Sequence, residues 1–269
     1  MSVRRVLCTG ASGFLGHELV AALRSDGFEV VTAGRRDTDL PLDLADAASC
    51  RAVVALARAD AVLHAAAMSS MAECSKDEAL AMRCNATATE ALAGAGVPML
   101  YVSTDLVFCG RAAPYRSDAA PAPLSAYGRS KRAGELATLT HGGTVVRLPL
   151  LFGRSFDGRR GATDMLCVAL VEKRTLGLFA DEFRTPLHAV DAAHALARLI
   201  RALPGGVRHV AGPERVSRFE LAQRFARVHS IDAPCWRSTT SDDPTRPKDV
   251  SLVSDVASAR SLDAMLADA

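Results

Sequence analysis

Residues 9–16 read Thr9-Gly10-Ala11-Ser12-Gly13-Phe14-Leu15-Gly16, and they stand between an apolar run, residues 3–9, and a segment of helical character, residues 17–24. Three glycines at this spacing allow a tight turn, a close approach of the backbone to a pyrophosphate and close packing of the helix. The amide groups at the start of the helix would then face the phosphates. A strand, a glycine-rich turn and a helix in this order favour a dinucleotide site over a purely structural turn. The predicted contacts are Gly10, Ser12, Gly13, Phe14, Leu15 and Gly16.

The second predicted strand, residues 29–34, is followed by two arginines, Arg35 and Arg36. Sites specific for NAD usually carry an acid here that binds the ribose 2′-hydroxyl. Two guanidinium groups suit a 2′-phosphate instead, and no carboxylate repels it. The cofactor predicted from this pair is NADP(H). The alternative is NAD(H), with a solvated pair of arginines and with Asp37 or Asp39 reaching the ribose.

Stretches with the length of strands alternate with stretches of helical character over the first half of the chain. Further strands are predicted at residues 61–64, 99–103 and 144–148, and helices at residues 45–57 and 75–94. Alternation of this kind predicts an α/β fold with a doubly wound parallel sheet of the Rossmann type.

After the fifth strand the pattern changes, and we predict a smaller, mainly helical C-terminal substrate lobe. The expected division is an NADP-binding domain over residues 1–153 and a substrate-binding lobe over residues 154–269 that partly packs back on the sheet. The elements predicted in this lobe are helices at 162–173, 190–203 and 217–228 and short strands at 176–179 and 207–210.

Residues 125–135 predict the start of a helix with Ser125 as its N-cap. Tyr127 and Lys131 are four positions apart and share one face of that helix. A phenol has a pKa of about 10 in isolation, too high for easy proton exchange at neutral pH, and a nearby ammonium lowers it. Tyr127 could then act as a general acid or base on a carbonyl or an alcohol. For this pattern alone, the alternative is a surface tyrosine and a solvated lysine.

The Gly-x-x-Gly-x-x-Gly spacing, together with the Tyr-x-x-x-Lys pair, resembles the extended short-chain dehydrogenase/reductase family. The resemblance implies that Lys131 tunes Tyr127 and binds the nicotinamide ribose. Thr104 precedes Tyr127 at close to the family's spacing, and its hydroxyl would hydrogen-bond the substrate carbonyl. The catalytic residues implied are Thr104, Tyr127 and Lys131.

The same resemblance implies further cofactor contacts. Asp43 would lie beside the adenine, although it could instead cap the helix at 45–57. Three alanines after the strand at 61–64 would let the backbone lie against the cofactor ribose, and the turn after the fifth strand would meet the nicotinamide. Asn85 resembles an asparagine that the family uses for backbone bonding near the site. The implied cofactor contacts are Asp43, Leu44, Ala65, Ala66, Ala67, Tyr127, Lys131 and Leu148.

Asp-x-x-Arg-Thr-Pro at residues 181–186, residues 246–252 and the Ser-Thr-Asp at 103–105 resemble one branch of the family. This branch contains the dTDP-4-dehydrorhamnose reductases and related sugar-nucleotide-binding proteins. It implies NADPH-dependent reduction of a ketone, such as a nucleotide-activated 4-keto-6-deoxy sugar, with Tyr127 giving the proton. Leu150 and Leu106 depart from the Trp and Tyr of the rhamnose enzymes. The implied substrate contacts are Thr104, Asp105, Leu150, Arg184 and Arg246.

Three alternatives stay open. A sugar-nucleotide epimerase or dehydratase is one, although dehydratases of the wider family carry an acidic pair where this chain has Asp105 and Leu106. A reductase of a non-sugar ketone is the second. The third is a regulatory subunit that binds NADP and a partner protein without turnover.

Composition limits the class of protein. The chain has 269 residues, of which 49% are hydrophobic and 23% charged, as in soluble globular proteins with a sizeable core. A net charge of +2 provides no electrostatic footprint for nucleic acid. The seven cysteines include no Cys-x-x-Cys pair, which favours reduced thiols in a cytoplasmic protein and no metal site. We expect no signal peptide or membrane helix, and either a homodimer or a monomer.

Overall fold

The computed structural model describes residues 3–232 and 235–269. The strands are β1 (Arg5–Thr9), β2 (Glu29–Gly34), β3 (Leu40–Pro41), β4 (Ala61–His64), β5 (Met99–Thr104), β6 (Thr144–Leu148), β7 (Leu151–Phe152), β8 (Leu176–Phe179), β9 (Phe183–Arg184), β10 (Leu187–His188), β11 (Gly206–His209), β12 (Val216–Ser217) and β13 (Trp236–Thr239). The α-helices are α1 (Phe14–Ser25), α2 (Ala47–Ala57), α3 (Met71–Lys76), α4 (Glu78–Met82), α5 (Ala88–Ala93), α6 (Ala126–Thr140), α7 (Ala162–Val171), α8 (Ala189–Ala202), α9 (Arg218–Val228) and α10 (Leu262–Leu266).

The main sheet is seven-stranded, with the order β11-β6-β5-β4-β1-β2-β3. Every neighbouring pair in it is parallel, which confirms the predicted doubly wound Rossmann fold. The chain builds outward from β1 through β2 to β3, and then outward on the other side from β4. Since the winding direction reverses between β1 and β4, a crevice opens beyond their carboxyl ends, where ligands bind in such sheets.

Helices cover both faces of this sheet. Leu19 of α1 and Leu196 of α8 are buried in one apolar cluster, while Val53 of α2 and Leu92 of α5 are buried in a second cluster. Strands covered on both faces can be apolar throughout, and all four residues of β4 are buried. The core therefore fixes the strands whose ends carry the predicted site.

The single helix predicted at 75–94 is wrong. Asp77 interrupts it with φ −139° and ψ 82°, and its carboxylate accepts a hydrogen bond from the Leu80 amide at 2.8 Å. A π-helical turn, Arg83–Thr87, then connects α4 to α5. Periodicity does not predict this break, because the Asp77 side chain caps a new helix and competes with continuation of the previous one.

The C-terminal half is divided between the sheet and smaller structures. Strand β11 extends the sheet beside β6, whereas β8 pairs with β13 and β9 with β12 outside it. The helix predicted at 217–228 is present as α9, and its predicted cap is confirmed, because the Glu220 amide donates to Ser217 Oγ at 3.1 Å. No helix in the described ranges combines the length and apolar character needed to cross a bilayer.

Candidate active site

The glycine-rich turn and the alanine segment lie in contact. A Cβ atom at Gly10 would lie 2.7 Å from the Ala66 amide nitrogen, and one at Gly16 would lie 1.9 Å from the Gly10 carbonyl oxygen. Gly10 also has a φ of 78°, which favours glycine. Both positions therefore require glycine if the turn is to be this compact.

The start of α1 carries unused hydrogen-bond donors. Among the residues that the structure describes, the amides of Phe14, Leu15 and Gly16 donate to no backbone carbonyl. The N-cap position is Gly13, which offers no side chain to satisfy them. Such a helix start attracts phosphate through its amides and its dipole, so these residues fit the diphosphate of a dinucleotide.

The arginines and the aspartates that follow β2, which are the alternative contacts for the adenosine ribose, differ in how they are engaged. Arg35 and Arg36 are exposed. Asp39 accepts hydrogen bonds from the amide and the hydroxyl of Thr32, both at 2.8 Å, and these bonds lower its pKa. Since Asp39 is engaged with β2, the alternative in which it reaches the ribose is disfavoured. Asp37 is exposed, with a φ of 53°.

Asp43 acts as a local cap in this structure. Its carboxylate accepts from the Ala45 amide at 2.9 Å, whereas Asp46 caps α2 through the Ala48 amide at 2.8 Å. Leu44 is partly buried against the second apolar cluster. The adenine contact of Asp43 stays a prediction.

Helix α6 places Lys131 deep in the protein. The predicted N-cap is confirmed, because the Gly128 amide donates to Ser125 Oγ at 3.0 Å. Lys131 Nζ donates to the Val102 carbonyl at 2.8 Å and lies 4.1 Å from the centroid of the Tyr101 ring. Burial lowers the pKa of Lys131 to about 7, against the opposing charge of Glu135.

Tyr127 differs from the sequence expectation in the direction of its pKa. Desolvation raises the pKa of Tyr127 well above its ordinary value, the negative charge of Asp105 adds to this, and the nearby Thr104 hydroxyl opposes it. The expected lowering by Lys131 is wrong for this arrangement, because desolvation dominates and the ammonium donates to a carbonyl. Tyr127 is therefore protonated at neutral pH, as an unperturbed phenol also is, and the raised pKa by itself makes it a weaker proton donor.

Asn85 connects α6 to Met68, the residue that follows the three alanines at 65–67. Its side chain exchanges two hydrogen bonds with the backbone of Met68, at 2.8 and 2.9 Å. Its Nδ2 also donates to Ser130 Oγ at 2.9 Å, and that hydroxyl donates to the Tyr127 carbonyl at 2.8 Å. This buried amide therefore positions the first turn of α6, as the resemblance implies.

Thr104 and Asp105 lie at the carboxyl end of β5. Thr104 Oγ1 accepts from the Leu106 amide at 3.2 Å, and Asp105 is buried beside Arg184, with 3.4 Å between Arg184 Nε and Asp105 Oδ2. That pair lacks hydrogen-bond alignment, since Oδ2 has no hydrogen-bond partner within the described residues. Burial raises the pKa of Asp105 to about 6, and Arg184 opposes this.

The two predicted substrate arginines meet at a residue that the sequence reasoning missed, Glu182. Its fully buried carboxylate accepts from Arg246 at 2.5 and 2.8 Å and lies 4.0 Å from Arg184 Nη2. Arg218 was missed as well. Its amide donates to the Glu182 carbonyl at 3.3 Å, so it lies beside the same cluster, and burial and the charge of Arg184 lower its pKa. In an extended segment, residues two positions apart lie on the same face, so the position of Glu182 two residues before Arg184 could have indicated that the two side chains are neighbours.

The remaining predicted contacts pack in the core. Leu148 is buried at the end of β6, and Leu150 is partly buried against the same cluster. His64 is fully buried between Thr9 Oγ1 at 2.7 Å and Thr89 Oγ1 at 3.2 Å, which suits a structural role. Within the described ranges, no group of three or more His, Cys, Asp or Glu side chains could hold a metal ion.

Comparisons with known proteins agree with this geometry. The family model "RmlD substrate binding domain" matches residues 4–264. A relative from Streptomyces niveus, named dTDP-4-keto-6-deoxy-D-glucose reductase, is 33% identical over 246 residues, which are 88% of this chain and 83% of the relative. The methionine adenosyltransferase 2 subunit beta of Xenopus laevis is 30% identical over 256 residues, which are 90% of this chain and 76% of that one.

Among solved structures, a dTDP-4-dehydrorhamnose reductase from Bacillus anthracis, crystallised with NADP, has a TM-score of 0.88 to this chain. The two are 24% identical, and the match covers 98% of this chain and 97% of the other. At that identity the likeness shows a shared fold.

Proposed function

The chain belongs to the family of the RmlD substrate binding domain, and on that premise we propose that it is an NADPH-dependent reductase of a nucleotide-activated 4-keto-6-deoxy sugar. The observation that carries the proposal is that the first turn of α6, which holds Tyr127, packs against the carboxyl end of β5, where Thr104 and Asp105 lie: a Cβ atom at Gly128 would lie 2.3 Å from the Leu106 carbonyl oxygen.

The chemistry divides among three side chains. NADPH, when bound, supplies a hydride for the carbonyl carbon. Tyr127 gives its proton to the carbonyl oxygen. Thr104, whose hydroxyl donates to Asp105 Oδ1 at 3.2 Å in this structure, turns that hydrogen bond to the carbonyl oxygen and stabilises its developing charge. Lys131, with a pKa lowered by burial to about 7, is matched to returning a proton near neutral pH.

The guanidinium groups of the substrate side support an anionic substrate. Three guanidinium groups, of Arg184, Arg218 and Arg246, share a cluster with two carboxylates, of Asp105 and Glu182. Guanidinium groups in this arrangement suit an anion such as a nucleoside diphosphate, whose oxygens they can bind through two donors. Arg246 donates two hydrogen bonds to Glu182. We therefore expect Glu182 to fix the orientation in which the Arg246 guanidinium meets the substrate.

The test is an assay with NADPH and a dTDP-4-keto-6-deoxyhexose. We expect loss of NADPH absorbance and a product two hydrogens heavier by mass spectrometry. Tyr127→Phe should lower turnover by roughly 10²-fold or more, while NADPH binding persists. If simple ketones are reduced and no nucleotide sugar is bound or reduced, the sugar-nucleotide substrate is wrong and only the reductase assignment stands.

A second candidate is a subunit that binds NADP and a partner protein without turnover. The observation that favours it is the 30% identity to a methionine adenosyltransferase 2 subunit beta over 90% of this chain. It predicts tight NADPH binding, no turnover with any keto-sugar and co-elution with a catalytic partner. Turnover that depends on Tyr127 would exclude it.

A further inference from the structure

We propose that Arg160 is a cofactor-binding residue that contacts the diphosphate of the dinucleotide from the C-terminal half of the chain. The inference rests on the proposed function in that it requires a dinucleotide at the glycine-rich turn. It adds a contact from residues 154–161, termed here the 154–161 loop, which none of the expected cofactor contacts includes.

Three contacts place this loop on the glycine-rich turn. Arg160 Nη1 donates to the Ser12 carbonyl at 2.8 Å. The ring of Phe156 stacks on His17 of α1, with centroids 6.0 Å apart. A Cβ atom at Gly161 would lie 3.2 Å from the Phe14 ring. The loop therefore packs beside the helix start whose amides are free for phosphate.

The backbone of the loop is fixed by a buried carboxylate. Asp164, in the first turn of α7, accepts from the amides of Arg160 at 3.0 Å and Gly161 at 2.8 Å. It also accepts from the amide and the hydroxyl of Ser155. Four donors on one carboxylate hold the backbone of the loop at residues 155, 160 and 161, so the Arg160 side chain starts from an anchored backbone.

The guanidinium group of Arg160 is oriented by two hydrogen bonds, through Nε and Nη1. Its Nε donates to Asp157 Oδ2 at 2.7 Å, and its plane lies over the Phe156 ring at 5.1 Å. Within the described residues Arg160 Nη2 donates no hydrogen bond, and the side chain remains 44% exposed. A fixed guanidinium with a free edge beside a helix start is suited to a charge-assisted bond with a phosphate oxygen.

The diphosphate fits this position better than the 2′-phosphate. Arg35, the residue expected to bind the 2′-phosphate, directly follows the carboxyl end of β2 and is exposed there. Arg160 instead contacts the turn between β1 and α1. The two arginines therefore serve different ends of the adenosine half, and Arg160 should not distinguish NADPH from NADH.

The experiment titrates the full-length protein with NADPH and NADH, following nicotinamide fluorescence, for Arg160→Ala, Arg160→Lys and Arg159→Ala. Arg159 is a matched control, because it is the adjacent exposed arginine and its side chain makes no hydrogen bond within the described ranges. We expect Arg160→Ala to raise both dissociation constants by about tenfold, the scale of one hydrogen bond to a charged group. Arg160→Lys should fall between, because it keeps charge without the fork, and Arg159→Ala should match wild type.

Equal affinities for Arg160→Ala and Arg159→Ala would overturn the inference, and so would a loss confined to NADPH, which would assign Arg160 to the 2′-phosphate. Circular dichroism of each variant confirms folding, and Arg160→Lys keeps the test valid if the alanine variant unfolds. A wild-type protein that binds NADPH with this dependence on Arg160 but reduces no keto-sugar would refute the proposed reaction alone. Keto-sugar reduction with unchanged NADPH affinity in Arg160→Ala would refute the inference alone.

Discussion

The ion pair between Glu135 of α6 and Arg147 of β6 provides a quantitative test of how the site helix is anchored. Glu135 accepts from Arg147 Nε and Nη2, each at 2.8 Å, and from Ser103 Oγ at 2.6 Å. The Arg147 side chain is 1% exposed and that of Glu135 is fully buried. Glu135→Leu would remove the acceptor and leave a buried, unpaired guanidinium.

Breaking a buried pair by removing one partner costs about 3–5 kcal/mol, most of it from the charge left behind. Arg147 retains a 3.3 Å contact to His209, a 3.5 Å bond to the Ser117 carbonyl and a position over the Phe108 ring, 4.9 Å from its centroid. None of these supplies a negative charge, so we expect a cost in this range for Glu135→Leu. Replacing both partners by apolar residues of similar size is often nearly neutral. The double variant Glu135→Leu/Arg147→Met should therefore cost much less than the sum of the single variants.

The assay is urea unfolding followed by far-UV circular dichroism for wild type, both single variants and the double variant. A coupling free energy of about 2 kcal/mol or more from the double-mutant cycle is the expected result. A single variant within about 1 kcal/mol of wild type, or additive costs, would refute the reasoning, because the pair would then behave like an exposed one.

The stability difference between wild type and Glu135→Leu should also depend on pH. Burial by itself raises the pKa of Glu135, but the hydrogen bonds and charge of Arg147, with bonds from Ser103 and Arg132, hold it below the ordinary value of 4.5. A carboxyl with a lowered pKa stabilises the native state above that ordinary value, and this contribution is lost as the pH falls through the lowered pKa. The stability difference between wild type and Glu135→Leu should therefore be largest near neutrality and shrink in acid.

Three further predictions concern the cofactor, a buried histidine and a helix glycine. Replacing Arg35 and Arg36 by Ala should weaken NADPH binding by about tenfold or more and leave NADH binding nearly unchanged, because only NADPH carries the 2′-phosphate; equal losses in a titration would contradict this. Burial lowers the pKa of His64 from 6.5 to about 3. As the pH is lowered from 6.5 toward 3, the unfolded state binds a proton that the native state does not, so the free energy of unfolding should decrease by up to about 1.4 kcal/mol per pH unit. His64→Asn should flatten that slope, and an unchanged slope would assign the acid sensitivity elsewhere. Gly134→Ala should destabilise by about 1–3 kcal/mol despite the better helix propensity of Ala, because its Cβ would lie 2.4 Å from the Asn85 carbonyl oxygen; stabilisation in urea unfolding would show that the helices move apart.

Several features were predictable because local rules decide them. The compact turn at residues 10–16 requires glycine at positions where a side chain would collide with the backbone. The alternation of apolar strands with helices along the chain predicts a parallel sheet. Tyr127 and Lys131 share a face because the helix repeat places them there. The Ser125 and Ser217 caps follow from side-chain hydrogen bonds within three residues. Each of these constraints acts over a few residues, so the order of residues is sufficient to reveal it.

Other features depend on residues far apart in the chain. Glu182 and Arg246 are 64 positions apart, and Arg160 and Ser12 are 148 positions apart, so no spacing along the chain predicts either contact. The pKa of Tyr127 rises because residues from several elements desolvate it and because Asp105, 22 positions earlier in the chain, adds negative charge. Burial depends on how every element packs, and the electrostatics of this site were therefore decided by the tertiary structure.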